Sequence, residues 1–169
     1  MEDRIRKATE GENQGVSMVE EMLQLVTFKL GAEEFALDIL VVQEINRRVE
    51  ITKVPKTPEF VEGVINLRGK IVPVLDLRKR FGLMGREFTG HARIIVVNID
   101  TRVLGLMVDS VSEVLWIPSH TIEPAPPLVA GIDAAYIKGV GRFEGRLLIL
   151  LDLGKVLSAP QTENLIGES

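Results

Sequence analysis

The sequence predicts an all-β protein with short helices, built from two similar β-barrel units that pack on each other. Three observations predict this fold class: short segments rich in Val, Ile and Leu, glycine and charged residues between those segments, and an internal repeat. The chain has 169 residues, of which 46% are hydrophobic and 5% aromatic, so its core must be mainly aliphatic. Residues 1–18 and 158–169 are polar and predict flexible tails, which leaves residues 19–157 as the folded domain.

The apolar segments have the length and composition of strands. Branched side chains favour extended backbone, and turn-forming residues bound each segment. In chain order the segments are LQLVTFKL, EEFALDI, GVINL, KIVPVLDL, ARIIVVNI, RVLGLMV, SEVLWI, KGVGRF and RLLILLDL. Three other stretches predict helical or turn-like structure: DILVVQEI, TPEFV, and DLRKRFGL, which ends at Gly82. Pro73 cannot donate a hydrogen bond, so its strand is predicted to lie at a sheet edge or to bulge there.

Two pairs of segments repeat in the same order along the chain. Leu23–Asp38 aligns without a gap with Ile94–Asp109, and Gly63–Leu77 aligns with Gly139–Leu153. In the second pair, LRGK and FEGR each place a glycine at the end of a two-residue turn, where positive φ is needed. The repeat therefore predicts one tight hairpin in each half. A unit of this size buries little core as an open sheet, which favours closure into a barrel.

The composition argues against several function classes. The formal net charge is −4 and the basic residues are scattered, whereas a nucleic-acid-binding protein concentrates positive charge. Cysteine is absent, which excludes disulfides and thiolate metal sites and is typical of a reducing cytosol. Residues 1–15 lack the apolar region of a signal peptide, and no apolar run is long enough to span a bilayer. We expect a cytoplasmic protein that reaches a membrane only through a partner.

The titratable residues do not form a recognisable catalytic or metal-binding pattern. His91 and His120 lie in loop-like stretches without nearby carboxylates at ligand spacing, so we interpret them as solvated and predict no metal and no cofactor. Carboxylates at repeat-related strand ends could act in acid–base chemistry, but they are more often caps or turn formers; these are Asp38, Asp76, Asp109 and Asp152. The sequence therefore predicts a protein that is not an enzyme.

Several stretches of the chain resemble the CheW-like domain family in their order and spacing. They are EEFALDILVVQEI, KVPKTPEFVEGV, GVINLRGKIVPVLDLRKRFGL, RVLGLMVDSVSEVL and GRLLILLDLGKVL, and the resemblance extends from Met22 to Leu157. It implies two intertwined, five-stranded, SH3-like barrels around a shared hydrophobic core. The chain has no room for a kinase or receiver domain. The resemblance therefore implies a non-enzymatic chemotaxis adaptor that couples the regulatory domain of the histidine kinase CheA to the cytoplasmic tips of transmembrane chemoreceptors in signalling arrays.

The resemblance also implies residues that bind the kinase. Val42 and Gly63 match positions tied to kinase binding, and Glu44 and Arg68 match a charged pair linked to function. The residues themselves leave alternatives open, because Gly63 could be a structural turn residue and Arg68 a solvated charge in a turn. An exposed ion pair contributes little to stability, so positioning a binding surface is the better reason for the pair.

For receptor binding, the resemblance implies Ile94, Gly105 and Val111. Gly105 lies in an apolar strand, where a missing side chain lets another backbone approach or marks a bend in the barrel. The residues alone favour a core position for both Ile94 and Val111. Two other functions remain open: a CheW-like scaffold of another receptor–kinase pathway, such as surface motility, and a small β-barrel ligand-binding protein or enzyme. The resemblance is also compatible with self-association in array rings.

Overall fold

In the computed structural model, which describes residues 21–83 and 87–157, the chain is mostly β. The strands are β1 (Met22–Leu30), β2 (Glu33–Asp38), β3 (Val42–Arg47), β4 (Val61–Leu67), β5 (Lys70–Asp76), β6 (Arg93–Ile99), β7 (Arg102–Val108), β8 (Ser110–Pro118), β9 (Leu128–Val129), β10 (Ile132–Asp133), β11 (Ile137–Phe143) and β12 (Arg146–Leu151). Helices α1 (Leu77–Arg80) and α2 (Leu153–Val156) follow β5 and β12. The all-β prediction is confirmed, and the predicted tails lie outside the described residues.

The strands form two five-stranded sheets that share the chain in an intertwined way. Sheet 1 has the order β11-β12-β2-β1-β8, and sheet 2 has the order β3-β6-β7-β5-β4, while β9 and β10 pair separately. The chain leaves sheet 1 after β2, builds all of sheet 2, and returns to sheet 1 at β8. It therefore crosses between the sheets twice, once through the 3₁₀ turn Ile39–Val41 and once at Asp109.

Single β-bridges bring the two edges of each sheet together. Thr52, just after the edge strand β3, pairs with Val64 in the opposite edge strand β4. Glu123, after the edge strand β8, pairs in the same way with Val140 in β11. Each bridge covers one point of the two edge strands, where an open edge could otherwise pair with another chain.

The hairpins that the internal repeat relates align in the structure two residues away from the gap-free sequence alignment. The β1–β2 hairpin closes at Leu30 opposite Glu33, and the β6–β7 hairpin closes at Ile99 opposite Arg102. Leu30 therefore corresponds to Ile99. The same spacing makes Val42, which pairs with β6, the equivalent of Val111, which pairs with β1. The gap-free alignment failed because residues two apart on a strand point to the same face, so a shift of two preserves the apolar pattern.

The predicted tight hairpins are present in both halves. Arg68 and Gly69 connect β4 to β5 with φ of 51° and 86°, and Glu144 and Gly145 connect β11 to β12 with φ of 52° and 79°. Positive φ at both turn residues is the type I′ geometry that suits the twist of a two-residue hairpin. The turn predicted from glycine at the second position is thus confirmed.

Pro73 was expected at a sheet edge or at a bulge, and this expectation is wrong. Strand β5 lies between β4 and β7, and Pro73 is opposite Val64 in regular register. Val64 exchanges both of its backbone hydrogen bonds with Thr52, so the side of Pro73 that lacks an N–H faces β7. The ladder with β7 begins only at Val74, and the missing donor therefore falls at the end of that ladder.

The helical expectation for DILVVQEI holds only for one 3₁₀ turn at Ile39–Val41, because β3 begins at Val42. The prediction for DLRKRFGL is confirmed as α1, whose N-cap Asp76 accepts hydrogen bonds from the N–H groups of Arg78 and Lys79. Both α-helices have four residues. Within residues 21–83 and 87–157, no helix combines the length and hydropathy required to cross a membrane.

Three apolar clusters hold the sheets. The sheet 1 core contains Leu25, Ala36, Leu115, Ile117, Leu148 and Leu150. The sheet 2 core contains Ile65, Val72, Val74, Ile94, Val96 and Met107. A larger shared core lies between the sheets and includes Phe28, Phe35, Leu75, Leu106 and Ile149. Full burial of one such side chain contributes about 1.5–3 kcal/mol, so the shared core makes the two sheets one folding unit.

Candidate protein-docking surfaces

Glu44 and Arg68 form an ion pair at the edge of sheet 2. Glu44 lies on β3, and Arg68 occupies the first position of the β4–β5 turn. The guanidinium binds both carboxylate oxygens, Nη1 donating to Oε1 at 3.3 Å and Nη2 donating to Oε2. The hydrogen bond from Arg68 lowers the pKa of the Glu44 carboxyl, and the same contact raises the pKa of Arg68. The bidentate pair orients the hairpin tip relative to β3.

Strand β3 and the turn before it also carry apolar side chains, and we call the residues of this edge together the β3 surface: Leu40, Val42, Glu44, Ile45 and Arg68. Ile45 directly follows Glu44 on the strand, so the two side chains point to opposite faces. Leu40 is 87% exposed and Ile45 is 40% exposed, while Val42 is half-buried against the shared core. The pairing of β3 with β6 shifts register between Val42 and Glu44. This bulge re-aims the side chains of an edge strand, a common device at binding sites.

Gly63 lies on β4, the edge strand of sheet 2 opposite β3, and has a structural task. Its φ is +147°, and a Cβ atom there would lie 2.2 Å from the carbonyl oxygen of Thr52 and 2.8 Å from Cγ2 of Ile51. No side chain fits without moving the backbone at Thr52, which pairs with Val64. Any effect of Gly63 on kinase binding would therefore act through the placement of the segment before β4, since its own position is buried.

Ile94 and Gly105 lie inside the sheet 2 core. Ile94 has no exposed surface, and a Cβ at Gly105 would lie 2.7 Å from Cγ2 of Ile94. The glycine thus makes room for a neighbouring side chain, and the pairing of β7 with β6 runs through it without a register shift. Their link to a receptor stays a prediction, and it would have to act through the shape of sheet 2.

Val111 lies on a second surface, which we call the β8 surface. We define it by Val111, Glu113, Val114, Trp116 and Arg146. Val114 is 48% exposed and Trp116 is 58% exposed, and they alternate along β8 with the buried Leu115 and Ile117. Val111 is half-buried against the shared core, as is Val42 at the equivalent position. The structure thus places these two valines in equivalent sites, although the resemblance assigns them to different partners.

Strand β8 carries an ion pair of its own, on the face opposite Val114 and Trp116, because Glu113 shares the face of Leu115 and Ile117. Arg146 lies 2.8 Å from Glu113 and 3.2 Å from Glu34, measured between side-chain nitrogen and oxygen atoms. The hydrogen bond to Glu113 raises the pKa of Arg146. Glu113 is the repeat equivalent of Glu44, while the arginine comes from the other side of the turn. Sequence reasoning missed this pair and Trp116, and a repeat aligned on the hairpin turns was the signal that could have revealed the pair.

The residues considered for chemistry have structural tasks. The described residues contain no group of three or more His, Cys, Asp or Glu side chains able to hold a metal ion, and His91 and His120 are exposed. Asp38, Asp76 and Asp152 accept hydrogen bonds from backbone N–H groups at the start of short helices, which confirms their interpretation as caps. Asp109 differs, because it accepts from Gly31 N and pairs with Arg78.

An open cleft beside α1 contains several charged side chains. It measures about 270 Å³ and is lined by Arg48, Glu62, Asp76, Arg78, Lys79, Glu87 and Phe88. Burial raises the pKa of Asp76, opposed by the nearby Arg78. However, the Asp76 carboxylate is occupied by the N–H groups that it caps, and Lys79 is paired with Glu62 at 2.9 Å. Asp76, Lys79 and Glu62 are thus engaged with partners of the protein itself, which does not favour a ligand site built on them.

Comparisons of the sequence with known proteins identify a family and several similar proteins. The CheW-like domain profile matches residues 24–161. Chemotaxis protein CheW of Klebsiella aerogenes is 41% identical over 82% of this chain and 83% of its own length. Protein FrzA of Myxococcus xanthus is 33% identical over 77% of this chain and 82% of its own.

A solved structure shows the same fold. The crystal structure of scaffolding protein TtCheW from Thermoanaerobacter tengcongensis superposes with a TM-score of 0.81 at 42% identity, covering 86% of this chain and 99% of that one. At this identity and coverage, the two five-stranded sheets and their shared core are common to both proteins. The chain therefore belongs to the CheW-like domain family.

Proposed function

We propose that this protein is a cytoplasmic chemotaxis adaptor that couples a CheA-type histidine kinase to the tips of transmembrane chemoreceptors. The observation that carries the proposal is the similarity of almost the whole folded chain to proteins named chemotaxis protein CheW and to a scaffolding protein of the same fold. The family match spans residues 24–161, and thus the chain consists largely of this one domain. We propose that it acts by binding, without catalysis and without a cofactor.

The β3 surface is the proposed kinase-binding side. It offers the apolar groups Val42 and Ile45 on one face of β3 and the bidentate pair of Glu44 and Arg68 on the other. Apolar anchors and oriented charges give affinity and register at protein interfaces. Glu44 and Arg68 would supply the register, and Gly63 lets β4 approach the segment at Thr52 that follows β3.

The β8 surface and the adjoining sheet 2 are the proposed receptor side. Val114 and Trp116 present two apolar side chains in a row, beside the half-buried Val111. An amphipathic helix, such as the hairpin at a receptor tip, binds to apolar anchors of this kind. Ile94 and Gly105 would contribute by shaping the sheet. We also expect that the two surfaces, since they are equivalent under the repeat, support self-association in array rings.

The test measures binding and kinase activity with purified components. Wild-type protein, a CheA-type kinase and a receptor tip fragment are mixed in pairs and together. We expect binding to each partner, a ternary complex, receptor-dependent control of kinase autophosphorylation, and no turnover by the adaptor alone. If the wild-type protein binds neither partner, the proposed function is wrong.

Arg68→Ala tests the assigned pair, with Arg102→Ala as the matched control. Arg102 is the first residue of β7, directly after a hairpin turn of sheet 2, and its Nη2 lies 4.0 Å from Oδ2 of Asp100. We expect R68A to weaken kinase binding and R102A to bind like wild type, with equal thermal stability. If R68A retains binding and kinase control, the role given to Arg68 is refuted while the adaptor function stands.

A second candidate is a CheW-like scaffold of another receptor–kinase pathway, such as surface motility. The similarity to Protein FrzA, whose name does not mention chemotaxis, supports this second candidate. A deletion strain separates the two, because loss of chemotaxis in liquid supports the first function and loss confined to surface spreading supports the second.

A further inference from the structure

Asp109 lies where the chain crosses from sheet 2 back to sheet 1, and it contacts both sheets. One carboxylate oxygen, Oδ2, accepts a hydrogen bond from the N–H of Gly31 in the β1–β2 turn of sheet 1 at 2.6 Å. The other, Oδ1, accepts one from Nη1 of Arg78 at 3.0 Å. Arg78 belongs to α1, which follows β5 of sheet 2. One side chain thus ties together an element of each sheet at the crossover itself.

Arg78 is held on several sides, so it has little freedom to leave Asp109. Its side chain is 9% exposed, its Nε lies 3.6 Å from Oδ1 of Asp76, and its guanidinium lies 3.7 Å above the ring of Phe88. A buried arginine that loses a carboxylate partner is costly, because its charge has already left water. This contact therefore resists separation of α1 from the β1–β2 turn more strongly than an exposed ion pair would.

The internal repeat shows whether the unit of strand, cap and helix requires the pair of Arg78 and Asp109. In the other half, Asp152 caps α2 as Asp76 caps α1. Gly154 stands at the position of Arg78, and Leu40, 87% exposed, stands at the position of Asp109. The strand–cap–helix unit therefore forms without an arginine–aspartate pair, and the pair exists on only one side of the interface between the sheets.

We propose that Arg78 and Asp109 are positioning residues that fix the angle between the two sheets at the Asp109 crossover and leave the Leu40 crossover as the softer side. The β3 surface belongs to sheet 2 and the β8 surface to sheet 1, so this angle sets the relative orientation of the two docking surfaces. Relative motion of the sheets pivots about Asp109. The inference concerns the isolated protein and does not depend on the identity of its partners.

The test measures a distance across the two sheets by double electron–electron resonance. The chain has no cysteine, so spin labels can be placed at Asn98→Cys on β6 and Arg142→Cys on β11, both exposed sites on different sheets. The distance distribution is compared in the unmodified background and in R78M and D109N. The amide introduced by D109N would keep an oxygen for the Gly31 N–H but lose the charge that faces Arg78.

The matched control is Val72→Ala, which weakens the sheet 2 core without touching the crossover. We expect R78M and D109N to broaden the distribution and shift its maximum, and V72A to leave both unchanged at a comparable loss of thermal stability. Should R78M fail to fold, D109N alone decides. An unchanged distribution in D109N overturns the proposal, and so does equal broadening in V72A, because the effect would then be general loosening.

Discussion

Replacing Gly105 by alanine adds one methyl group inside the sheet 2 core. The new Cβ would lie 2.7 Å from Cγ2 of Ile94 and 3.4 Å from Cγ2 of Val74. Carbon atoms pack best at about 3.5–4.0 Å, so the contact with Ile94 is too short by about 1 Å. Overpacking of this kind costs about 1–3 kcal/mol. Alanine loses less backbone entropy on folding than glycine, which offsets about 0.5–1 kcal/mol of this cost. We therefore expect a net loss of about 1–2 kcal/mol in the free energy of unfolding.

A double-mutant cycle shows whether that loss comes from Ile94. Ile94→Ala removes the atom that the new methyl group meets, at a cost of about 2–5 kcal/mol by itself. In the I94A background, G105A should fill part of the cavity and be neutral or stabilising. Urea denaturation of the four proteins gives the four free energies of unfolding, and we expect a coupling energy of about 1–3 kcal/mol.

Two results would refute this reasoning. If G105A does not destabilise the wild-type protein, the sheet 2 core accommodates the methyl group despite the short distance to Ile94. If G105A costs the same with and without Ile94, the loss comes from another contact in the chain, such as Val74 at 3.4 Å. A receptor-binding defect in a G105A protein of wild-type stability would instead indicate close approach of a partner backbone.

Three further changes have expected outcomes. G63A should lower the free energy of unfolding by at least about 1–3 kcal/mol, because φ is +147° and the Cβ meets the Thr52 carbonyl; a urea midpoint equal to wild type would contradict this. T101G should raise it by about 1 kcal/mol in thermal unfolding, because threonine is strained at φ 68°, and a lower midpoint would argue against strain. In R68A, the pKa of Glu44 should rise towards its ordinary 4.5. A carboxyl group whose pKa is lowered in the folded state stabilises that state at pH values above its unfolded pKa. This stabilisation is lost as the pH falls through the folded pKa. NMR titration showing no change would disprove the coupling.

The predictable part of this fold came from short-range patterns. Alternation and branched residues located nine of the twelve strands of the described residues, missing β3, β9 and β10. The Gly69 and Gly145 turns marked the hairpins, because a two-residue turn has few backbone solutions. The segment at Val42 was misassigned to helical or turn-like structure, since apolar residues in a short run do not distinguish the two periods. This segment forms a strand because it pairs with β6 at the edge of sheet 2.

The family resemblance, and no pattern in the residues themselves, pointed to the charged pair. It implied Glu44 and Arg68, and their side chains bind each other. Ile94 and Gly105 gave no signal of which face they occupy, and the structure places both in the sheet 2 core. Glu113 and Arg146 escaped notice because the repeat was aligned on apolar pattern instead of on its turns.

Composition, local pattern and the repeat by themselves determined that this chain is a duplicated all-β protein with an aliphatic core and two tight hairpins. Those features depend on neighbours in sequence, whose preferences act over a few residues. Only the tertiary structure decided which strands share a sheet, where Pro73 is tolerated, and that Asp109 meets both Arg78 and Gly31. These outcomes depend on groups far apart in the chain, and long-range packing selects among registers that the local pattern leaves equal in energy.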